Sequence, residues 1–213
     1  MGRRALPKLK PDVAYEHLLS DVRSLTPPFQ PQRLFPSVAD LEIEVGSGKG
    51  LFLLNASGKN PQRNFLGVEI AQKYARYAAY RLAQHGRTNA FMLAGDAFVL
   101  FRELLPDQCA AAVHVYFPDP WWKERHHKRR IIQAGFVRDL SRVLRSGGAF
   151  HFWTDVEAYY EAACEILRGE SELQGPFPID TTPATHDMDY HTHFERRMRR
   201  NDHPVFRCYF QQP

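Results

Sequence analysis

A single carboxylate, that of Asp119, lies between two prolines directly after a run of apolar residues. That run, residues 110–117, has the length and the β-branched and aromatic content of a buried strand, and neither helix nor sheet continues through Pro118-Asp119-Pro120. The turn is followed by side chains that can stack on a ring or bind an anion: Trp121, Trp122 and Lys123. Ligands bind at the carboxyl ends of strands in open α/β sheets. These residues predict a site, against the alternative of an ordinary solvated turn.

A glycine-rich turn is the second stretch whose residue types suit a ligand. A strand predicted over residues 40–45 runs directly into Gly46-Ser47-Gly48-Lys49-Gly50, and a helix opens at Leu51. Glycine lets the backbone pass close to a ligand, so this strand, turn and helix are typical of the start of a nucleotide-binding α/β unit.

Two phosphate-binding interpretations of that turn fail. A dinucleotide fingerprint has glycine where Leu51 stands, and Glu44 would repel a pyrophosphate. A P-loop needs glycine at Ile43 and Ser or Thr at Gly50. The remaining pattern, E-x-G-x-G-x-G from Glu44, resembles the turn of S-adenosylmethionine-dependent methyltransferases. Their ligand carries a cationic sulfonium and an amino group, which favour a neighbouring acid.

Carboxylates also end the next two predicted strands. Glu69 closes the strand over residues 64–70. It lies about 20 residues after the glycine turn, the separation at which an acid accepts hydrogen bonds from both hydroxyls of a ribose. Asp96 follows the strand over residues 89–94. Asp96 can cap the helix predicted after it, and capping does not exclude contact with a ligand.

A strongly basic run follows the aspartate turn. Residues 125–130 contain four fixed positive charges and two histidines, just before a helix predicted over residues 131–144. Cations at a helix N-terminus cost about 0.3–1 kcal/mol each, so a negative partner such as nucleic-acid phosphate is expected to offset that cost. A nuclear localisation signal and a histidine metal site are the alternatives. His126 and His127 are adjacent rather than one turn apart, a poor metal pair, and we predict no metal.

Composition limits the class of protein. The 213 residues are 44% hydrophobic, which suits one main domain. The net charge is +4, and the positively charged residues are clustered, which favours a polyanionic partner. The three cysteines have no C-x-x-C spacing and favour a reduced, cytoplasmic setting. No stretch is long enough to cross a membrane. The sequence is compatible with a monomer or a homodimer.

Alternating strands and helices predict a doubly wound, mainly parallel α/β fold with helices on both faces of a seven-stranded sheet. The last two strands are predicted over residues 191–197 and 205–210, after a long surface loop over residues 175–189. Residues 1–38 are predicted to be a basic N-terminal arm and linker, with a short helix over residues 12–23. The main domain is predicted to span residues 39–213.

The motifs together resemble one family. E-V-G-S-G-K-G, G-V-E-I, F-P-D-P-W with the basic run, T-D and T-H-F-E occur in order from Glu44 to Glu195, and they are similar to those of the bacterial tRNA (guanine-N7-)-methyltransferases. The resemblance implies a Rossmann-like methyltransferase domain over residues 39–213. It also implies methylation of N7 of a variable-loop guanine in tRNA, with S-adenosyl-L-methionine as donor and S-adenosyl-L-homocysteine as product.

The resemblance also implies roles for individual residues, with Asp119 as the catalytic one. Contact with S-adenosylmethionine is implied for Glu44, Gly46, Gly48, Glu69, Asp96 and Asp119. Contact with tRNA is implied for Lys123, Arg125, His126, His127, Lys128, Arg129, Arg130, Asp155, Thr192, His193, Phe194 and Glu195. The chain departs from the family at Trp122, often proline or another residue there, and in the Arg-Arg-Met-Arg-Arg that follows Glu195.

Guanine N7 has a lone pair and no proton, so its methylation requires in-line placement and no general base. Asp119 is expected to accept hydrogen bonds from the guanine edge and to offset the charge that the ring gains, while Asp155 and Glu195 orient the base. Trp121 and Trp122 are available for stacking. The alternatives are an exocyclic-amine methyltransferase, whose motif is D-P-P-[YFW], and a methyltransferase-like RNA-binding module without activity.

Overall fold

The computed structural model describes residues 6–179, 192–201 and 203–213, and within them one sheet of eight strands is flanked by helices. The strands are β1 (Leu19–Asp21), β2 (Leu41–Val45), β3 (Asn64–Glu69), β4 (Ala90–Ala94), β5 (Ala110–Tyr116), β6 (Leu144–Thr154), β7 (Gln174–Phe177) and β8 (Phe206–Gln211). The helices are α1 (Leu51–Lys59), α2 (Gln72–Gln84), α3 (Ala97–Val99, continuing as a π-helix over Leu100–Leu104), α4 (Ala134–Val143), α5 (Glu157–Glu170) and α6 (His193–Arg200). None of these helices is both long and apolar enough to span a membrane.

The direction of winding reverses between β2 and β5. The strand order is β1-β4-β3-β2-β5-β6-β8-β7, and all pairs are parallel except those that β8 makes with β6 and β7. From β2 the chain builds one half of the sheet through β3 and β4, and it then returns to start β5 on the other side of β2. In open α/β sheets the crevice at the carboxyl ends beside such a reversal binds ligands. Glu44 of β2 pairs in register with His114 of β5 at this place.

Side-chain alternation shows that helices cover both faces of the sheet. Phe152 of β6 packs against Tyr159 of α5, with ring centroids 5.7 Å apart. Its neighbour His151 stacks on His114 at 4.9 Å, and His114 lies 4.6 Å from Phe52 of α1. Successive side chains of a strand point to opposite faces, so α1 and α5 cover opposite faces. The predicted doubly wound, mainly parallel α/β fold is confirmed.

The prediction of a helix over residues 12–23 is wrong. This segment forms two short 3-10 turns and β1, whose Leu19 pairs with Met92 of β4. Val22 is 1% exposed. A short isolated helix is marginally stable, and pairing with β4 satisfies the backbone while burying this apolar residue. The described sheet therefore has eight strands rather than the predicted seven. The division of the chain at residues 38 and 39 stays a prediction.

The prediction of a strand over residues 191–197 is also wrong where the structure describes it, because α6 begins at His193. Thr192 Oγ1 accepts a hydrogen bond from the Glu195 amide at 2.9 Å. Thr-x-x-Glu is the capping-box pattern that starts a helix, and this favours helix over strand. The loop predicted over residues 175–189 begins with β7 and lies outside the described residues from 180 onward. The final predicted strand, residues 205–210, is confirmed as β8.

Candidate active site

Glu44 and the glycine turn occupy the carboxyl end of β2. Gly46 and Gly48 have φ angles of 78° and 53°, in the left-handed region that favours glycine. The amides of Gly46 and Ser47 donate to the Val68 carbonyl of β3 at 2.8 and 3.2 Å. These bonds hold the turn against the neighbouring strand and form a compact backbone loop beside the crevice between β2 and β5.

The carboxyl group of Glu44 is buried beneath this loop. Glu44 is only 3% exposed, and its Oε2 has no hydrogen-bond partner among the described residues. Burial raises the pKa of this carboxyl to about 8; a hydrogen bond from Ser47 opposes the rise, and the nearby Glu69 carboxylate adds to it. A cation placed here would stabilise the ionised carboxylate, because it would replace the favourable interactions lost on burial. Glu44 is therefore suited to a positively charged ligand.

Glu69 and Asp96 end the neighbouring strands β3 and β4. Glu69 accepts from the Gly48 amide at 2.9 Å through Oε2 and from the Ala71 amide at 2.8 Å through Oε1. Each carboxylate oxygen has further lone-pair capacity, so Glu69 can still accept from ligand hydroxyls. Asp96 Oδ1 accepts from the Phe98 amide at 2.8 Å, which confirms that Asp96 caps α3. Capping uses one of its two oxygens.

Asp119 lies exposed on a strained turn at the end of β5. Phe117 and Trp121 on either side of it have φ angles of 49° and 47°, which residues other than glycine rarely adopt. Asp119 Oδ1 accepts from the Trp121 amide at 3.2 Å, and the Phe117 amide donates to the Trp153 carbonyl of β6 at 2.8 Å. Such strain persists only where surrounding contacts fix the backbone, and it is concentrated at functional sites. The turn thus presents one carboxylate at the winding reversal.

The basic run forms its own short helix, which corrects the prediction that it stands at the N-terminus of α4. Residues Glu124–Arg129 are a 3-10 helix, and α4 begins only at Ala134. Gln133 Nε2 donates to the Lys128 carbonyl at 2.7 Å and helps to end the short helix before α4 starts. His126, His127, Lys128 and Arg129 lie in its last turn, where the helix dipole favours cations, so the predicted electrostatic cost does not apply to them. The basic side chains exposed to solvent are Lys123, Arg125, Lys128 and Arg129, and Glu124 of the same helix is exposed as well.

Arg130, by contrast, is directed at the aspartate turn. Its Nε donates to the Pro120 carbonyl at 2.8 Å, and its Nη2 lies 2.9 Å from His127 Nε2. Its guanidinium carbon lies 4.6 Å from the ring centroid of Tyr159, a fully buried residue of α5. Arg130 therefore ties the turn that carries Asp119 to the helix layer behind it.

The Thr192–Glu195 segment reaches the same end of the sheet. The ring of Phe194 lies 4.9 Å from that of Phe117, so α6 packs beside the aspartate turn. Glu195 is 1% exposed, and its Oε1 lies 3.9 Å from Nη2 of Arg207. Asp155, half-buried, directly follows β6. The side chain of His193 lies outside what the structure describes.

A chain of buried, hydrogen-bonded polar side chains beneath the site was not predicted from the sequence. His114 Nε2 lies 2.9 Å from Glu42 Oε2, and its Nδ1 lies 2.9 Å from the Tyr116 hydroxyl. Although burial raises the pKa of Glu42, His114 and Arg63 lower it to about 2, so Glu42 is ionised. Burial, followed by the Glu44 carboxylate, raises the pKa of Tyr116 well above its usual value. Polar residues at alternate positions of two apolar strands were the available signal.

Comparison with known proteins decides which family the chain belongs to. Residues 39–208 match a family model described as "Putative methyltransferase". A tRNA (guanine-N(7)-)-methyltransferase of Rhodopirellula baltica is 47% identical over 216 residues, which cover 98% of this chain and 80% of that protein. The chain belongs to the bacterial tRNA (guanine-N7-)-methyltransferase family. The protein of that name from Shewanella amazonensis is 35% identical over 179 residues, 84% of this chain and 75% of that protein. The resemblance inferred from the motifs is confirmed.

A solved structure shares the fold of this tRNA (guanine-N7-)-methyltransferase family member at low sequence identity. The aminoglycoside resistance methyltransferase NpmB1 matches it with a TM-score of 0.59 and 18% identity, over 84% of this chain and 89% of that one. At this identity the likeness concerns the fold alone, and it supports the Rossmann-like methyltransferase architecture.

The methyl donor of this tRNA (guanine-N7-)-methyltransferase family member is S-adenosyl-L-methionine. The residues at the crevice fit that molecule. Glu44 has a buried carboxylate oxygen without a partner among the described residues, which suits a cationic group. Glu69 retains acceptor capacity for hydroxyls, and the turn at Gly46 and Gly48 exposes backbone at the same edge. When bound, the cofactor supplies an electrophilic methyl group on its sulfonium.

Proposed function

We propose that this protein methylates N7 of a guanine in the variable loop of cytoplasmic tRNA. The observation that carries the proposal is the Asp119 carboxylate on a fixed turn at the winding reversal. It has acids suited to the cofactor on one side and an exposed basic helix on the other. Relatives 47% and 35% identical are named for the same reaction on tRNA.

The cofactor is bound, in this proposal, by the carboxyl ends of β2, β3 and β4. Glu44 faces the cationic part of the molecule, and Gly46 and Gly48 let the backbone approach it. Glu69 accepts hydrogen bonds from the ribose hydroxyls, and Asp96 contacts the adenine end. These roles use the buried oxygen of Glu44 and the remaining lone pairs of Glu69.

The guanine is held and oriented by carboxylates. N7 has a lone pair and carries no proton, so the chain supplies placement rather than a general base. Asp119 accepts hydrogen bonds from the guanine edge, contacts the cofactor as well, and stabilises the positive charge that the ring gains as the methyl bond forms. Asp155 and Glu195 orient the base, and Thr192, His193 and Phe194 complete the tRNA contact.

The basic helix binds the RNA backbone. Its exposed cations meet phosphates, whose binding releases counterions and makes affinity depend steeply on salt. The run proposed for this contact is Lys123, Arg125, His126, His127, Lys128, Arg129 and Arg130. The exposure of four of its fixed charges supports the assignment.

Product identification tests the proposed function. The protein is incubated with labelled S-adenosylmethionine and unmodified tRNA, and the RNA is digested to nucleosides. Label in 7-methylguanosine is the expected result. Label in a nucleoside methylated on an exocyclic amine would support the alternative suggested by Asp119-Pro120-Trp121. Tight tRNA binding without cofactor binding would support an inactive RNA-binding module.

Arg130→Lys should lower kcat about tenfold while leaving tRNA affinity and its salt dependence close to wild type. Lysine keeps the charge for a phosphate but loses the planar guanidinium that donates to Pro120 and stacks on Tyr159. The loss of about 1–1.5 kcal/mol is that of one hydrogen bond fixing the aspartate turn.

Steady-state kinetics and tRNA binding at several salt concentrations measure both effects of this substitution. Arg125→Lys, at an exposed position of the same basic run, is the matched control and should retain kcat. Unchanged kcat in Arg130→Lys would show that Arg130 does not position the turn.

A further inference from the structure

The two tryptophans after Asp119 have different surroundings. Trp121 is half-buried, stacks on His126 with ring centroids 5.9 Å apart and planes 15° apart, and lies 5.0 Å from the guanidinium of Arg129. Trp122 is 73% exposed, and it makes no ring contact within the described chain. Trp121 is therefore part of the packing of the basic helix, and Trp122 is not.

An exposed tryptophan here has no structural explanation. A tryptophan side chain buries about 150–250 Å² of surface when it packs, which makes it a costly residue to leave in water. The large apolar side chains exposed in the described chain are Val38, Ile70 and Trp122. Of these only Trp122 is aromatic, and it is followed by the exposed cations Lys123 and Arg125, with the exposed Glu124 between them. Exposed aromatic rings among cations are how proteins bind unpaired nucleic-acid bases.

The position of Trp122 relative to Asp119 limits what can lie on it. Three residues of extended chain span at most about 11 Å, so the two Cα atoms are no further apart than that. Asp119 Oδ1 accepts from the Trp121 amide, so the chain turns at the carboxylate and Trp122 follows directly after that turn. In the proposed function the guanine is held at Asp119, and an exposed ring this close to Asp119 is within reach of the next base along the RNA strand.

We propose that Trp122 is a stacking platform for the base of a nucleotide adjoining the methylated guanine. This rests on the proposed tRNA function and adds a substrate contact to it. The major groove of A-form RNA is too deep and narrow for side chains to reach, so N7 must be presented by an unstacked nucleotide. A neighbour of that nucleotide loses one stacking partner, and the indole of Trp122 replaces it.

Binding of unmodified tRNA to the Trp122 variants tests this. Trp122→Ala should raise the dissociation constant for tRNA about 10- to 100-fold, because that is the range for loss of one base–aromatic stack. Trp122→Phe, which keeps a ring, should stay within about threefold of wild type. The slope of log affinity against log salt should not change in either variant, since no charge is removed. Cofactor affinity should also be unchanged.

Two control variants frame the result. Val38→Ala removes another exposed apolar side chain, which is 86% exposed. Val38 precedes β2, at the end of that strand opposite to the site, so its loss should leave tRNA binding unchanged. Lys128→Gln removes an exposed cation and should reduce the salt slope by about one. Normal tRNA affinity in Trp122→Ala, or a reduced salt slope, would overturn the proposal.

A fluorescent base identifies the stacked nucleotide. tRNA carrying 2-aminopurine on either side of the target guanine should be quenched by wild type at one of the two positions, and Trp122→Ala should abolish that quenching. Equal fluorescence with both proteins at both positions would contradict the proposal. The wild type is assayed for 7-methylguanosine in parallel. If the wild type forms no 7-methylguanosine, the proposed function is overturned. If it forms 7-methylguanosine and Trp122→Ala binds tRNA normally, only the stacking role is overturned.

Discussion

Asp119→Asn is expected to lower kcat for tRNA methylation by about 100- to 1000-fold. The substitution keeps the size of the side chain but removes the charge that faces the guanine as it becomes positive, and losing one preorganised electrostatic group of this kind typically costs that much. The turn should survive, because the side-chain oxygen of asparagine can still accept the hydrogen bond that the Trp121 backbone amide donates to Asp119 at 3.2 Å. Single-turnover methylation at saturating tRNA and cofactor measures the effect on the chemical step.

Asp107→Asn is the matched control for this experiment. Asp107 precedes β5 at its other end, and its side chain is 74% exposed in an ion pair with Arg142. Exposed ion pairs contribute about 0–1 kcal/mol, so its loss should not alter kcat. Near-normal turnover in Asp119→Asn, or an equal loss in Asp107→Asn, would show that the Asp119 charge does not act on the reacting base.

Glu44→Gln is expected to weaken binding of S-adenosylmethionine about 10- to 100-fold. A hydrogen bond to a charged group is worth about 1.5–3 kcal/mol, and glutamine keeps the shape while removing the charge that faces the cationic ligand. Isothermal titration measures the change. Glu165→Gln, an exposed position on α5, serves as the control and should bind the cofactor normally.

The pH dependence of Glu44→Gln follows from the raised pKa. The Glu44 carboxyl has a pKa of about 8 without ligand, so it is protonated at neutral pH, and a bound cation favours its ionised form. Cofactor binding should therefore release a proton, and wild-type affinity should rise relative to the glutamine variant as pH increases towards 8. The cofactor's own amino group titrates alike with both proteins, so their difference isolates Glu44. Parallel pH profiles for the two proteins would contradict this assignment.

The same raised pKa has a consequence for stability. Its folded-state value of about 8 lies above the ordinary 4.5, so the protonated carboxyl favours the folded state. That contribution is complete below pH 4.5 and is lost as pH rises through 8. Without cofactor, Glu44→Gln should therefore unfold at a higher temperature than wild type at pH 8.5. A lower unfolding temperature for the variant at that pH would contradict the burial of an unpaired carboxyl.

The core of the fold could be predicted because its strands are short runs rich in apolar residues, continuous in β4 and alternating with glutamates in β2. Strands β2 and β4 are buried along their whole length, as strands of a parallel sheet covered by helices on both faces must be. The glycine turn at Gly46 identified the first strand–helix unit, and the double-proline turn fixed the end of β5. These signals are local, so sequence alone carries them.

Elements that depend on distant contacts could not be predicted. β1 exists because residues near Leu19 pair with β4, more than 70 positions further along the chain, as Leu19 to Met92 shows. The contact of Phe194 with Phe117 brings α6 to the aspartate turn and likewise joins remote segments. The capping box at Thr192 is a local signal for a helix, yet residues 191–197 were predicted to be a strand that completes the sheet.

The inward direction of Arg130 was equally hidden within a uniformly basic run. Its partners are the Pro120 carbonyl and the ring of Tyr159, and neither contact has a sequence signature. Charge counting predicts that a surface is basic, but it does not predict which cations face the solvent.

Methyl transfer to a tRNA in which 7-deazaguanosine replaces the target guanine tests the central claim most directly. The analogue keeps the base-pairing edge and the ring shape but has carbon in place of N7, so it lacks the attacking lone pair. With labelled S-adenosylmethionine, we expect the guanine-containing tRNA to become labelled in 7-methylguanosine and the deaza-substituted tRNA to bind normally without being labelled. Equal labelling of both tRNAs would contradict methylation at N7.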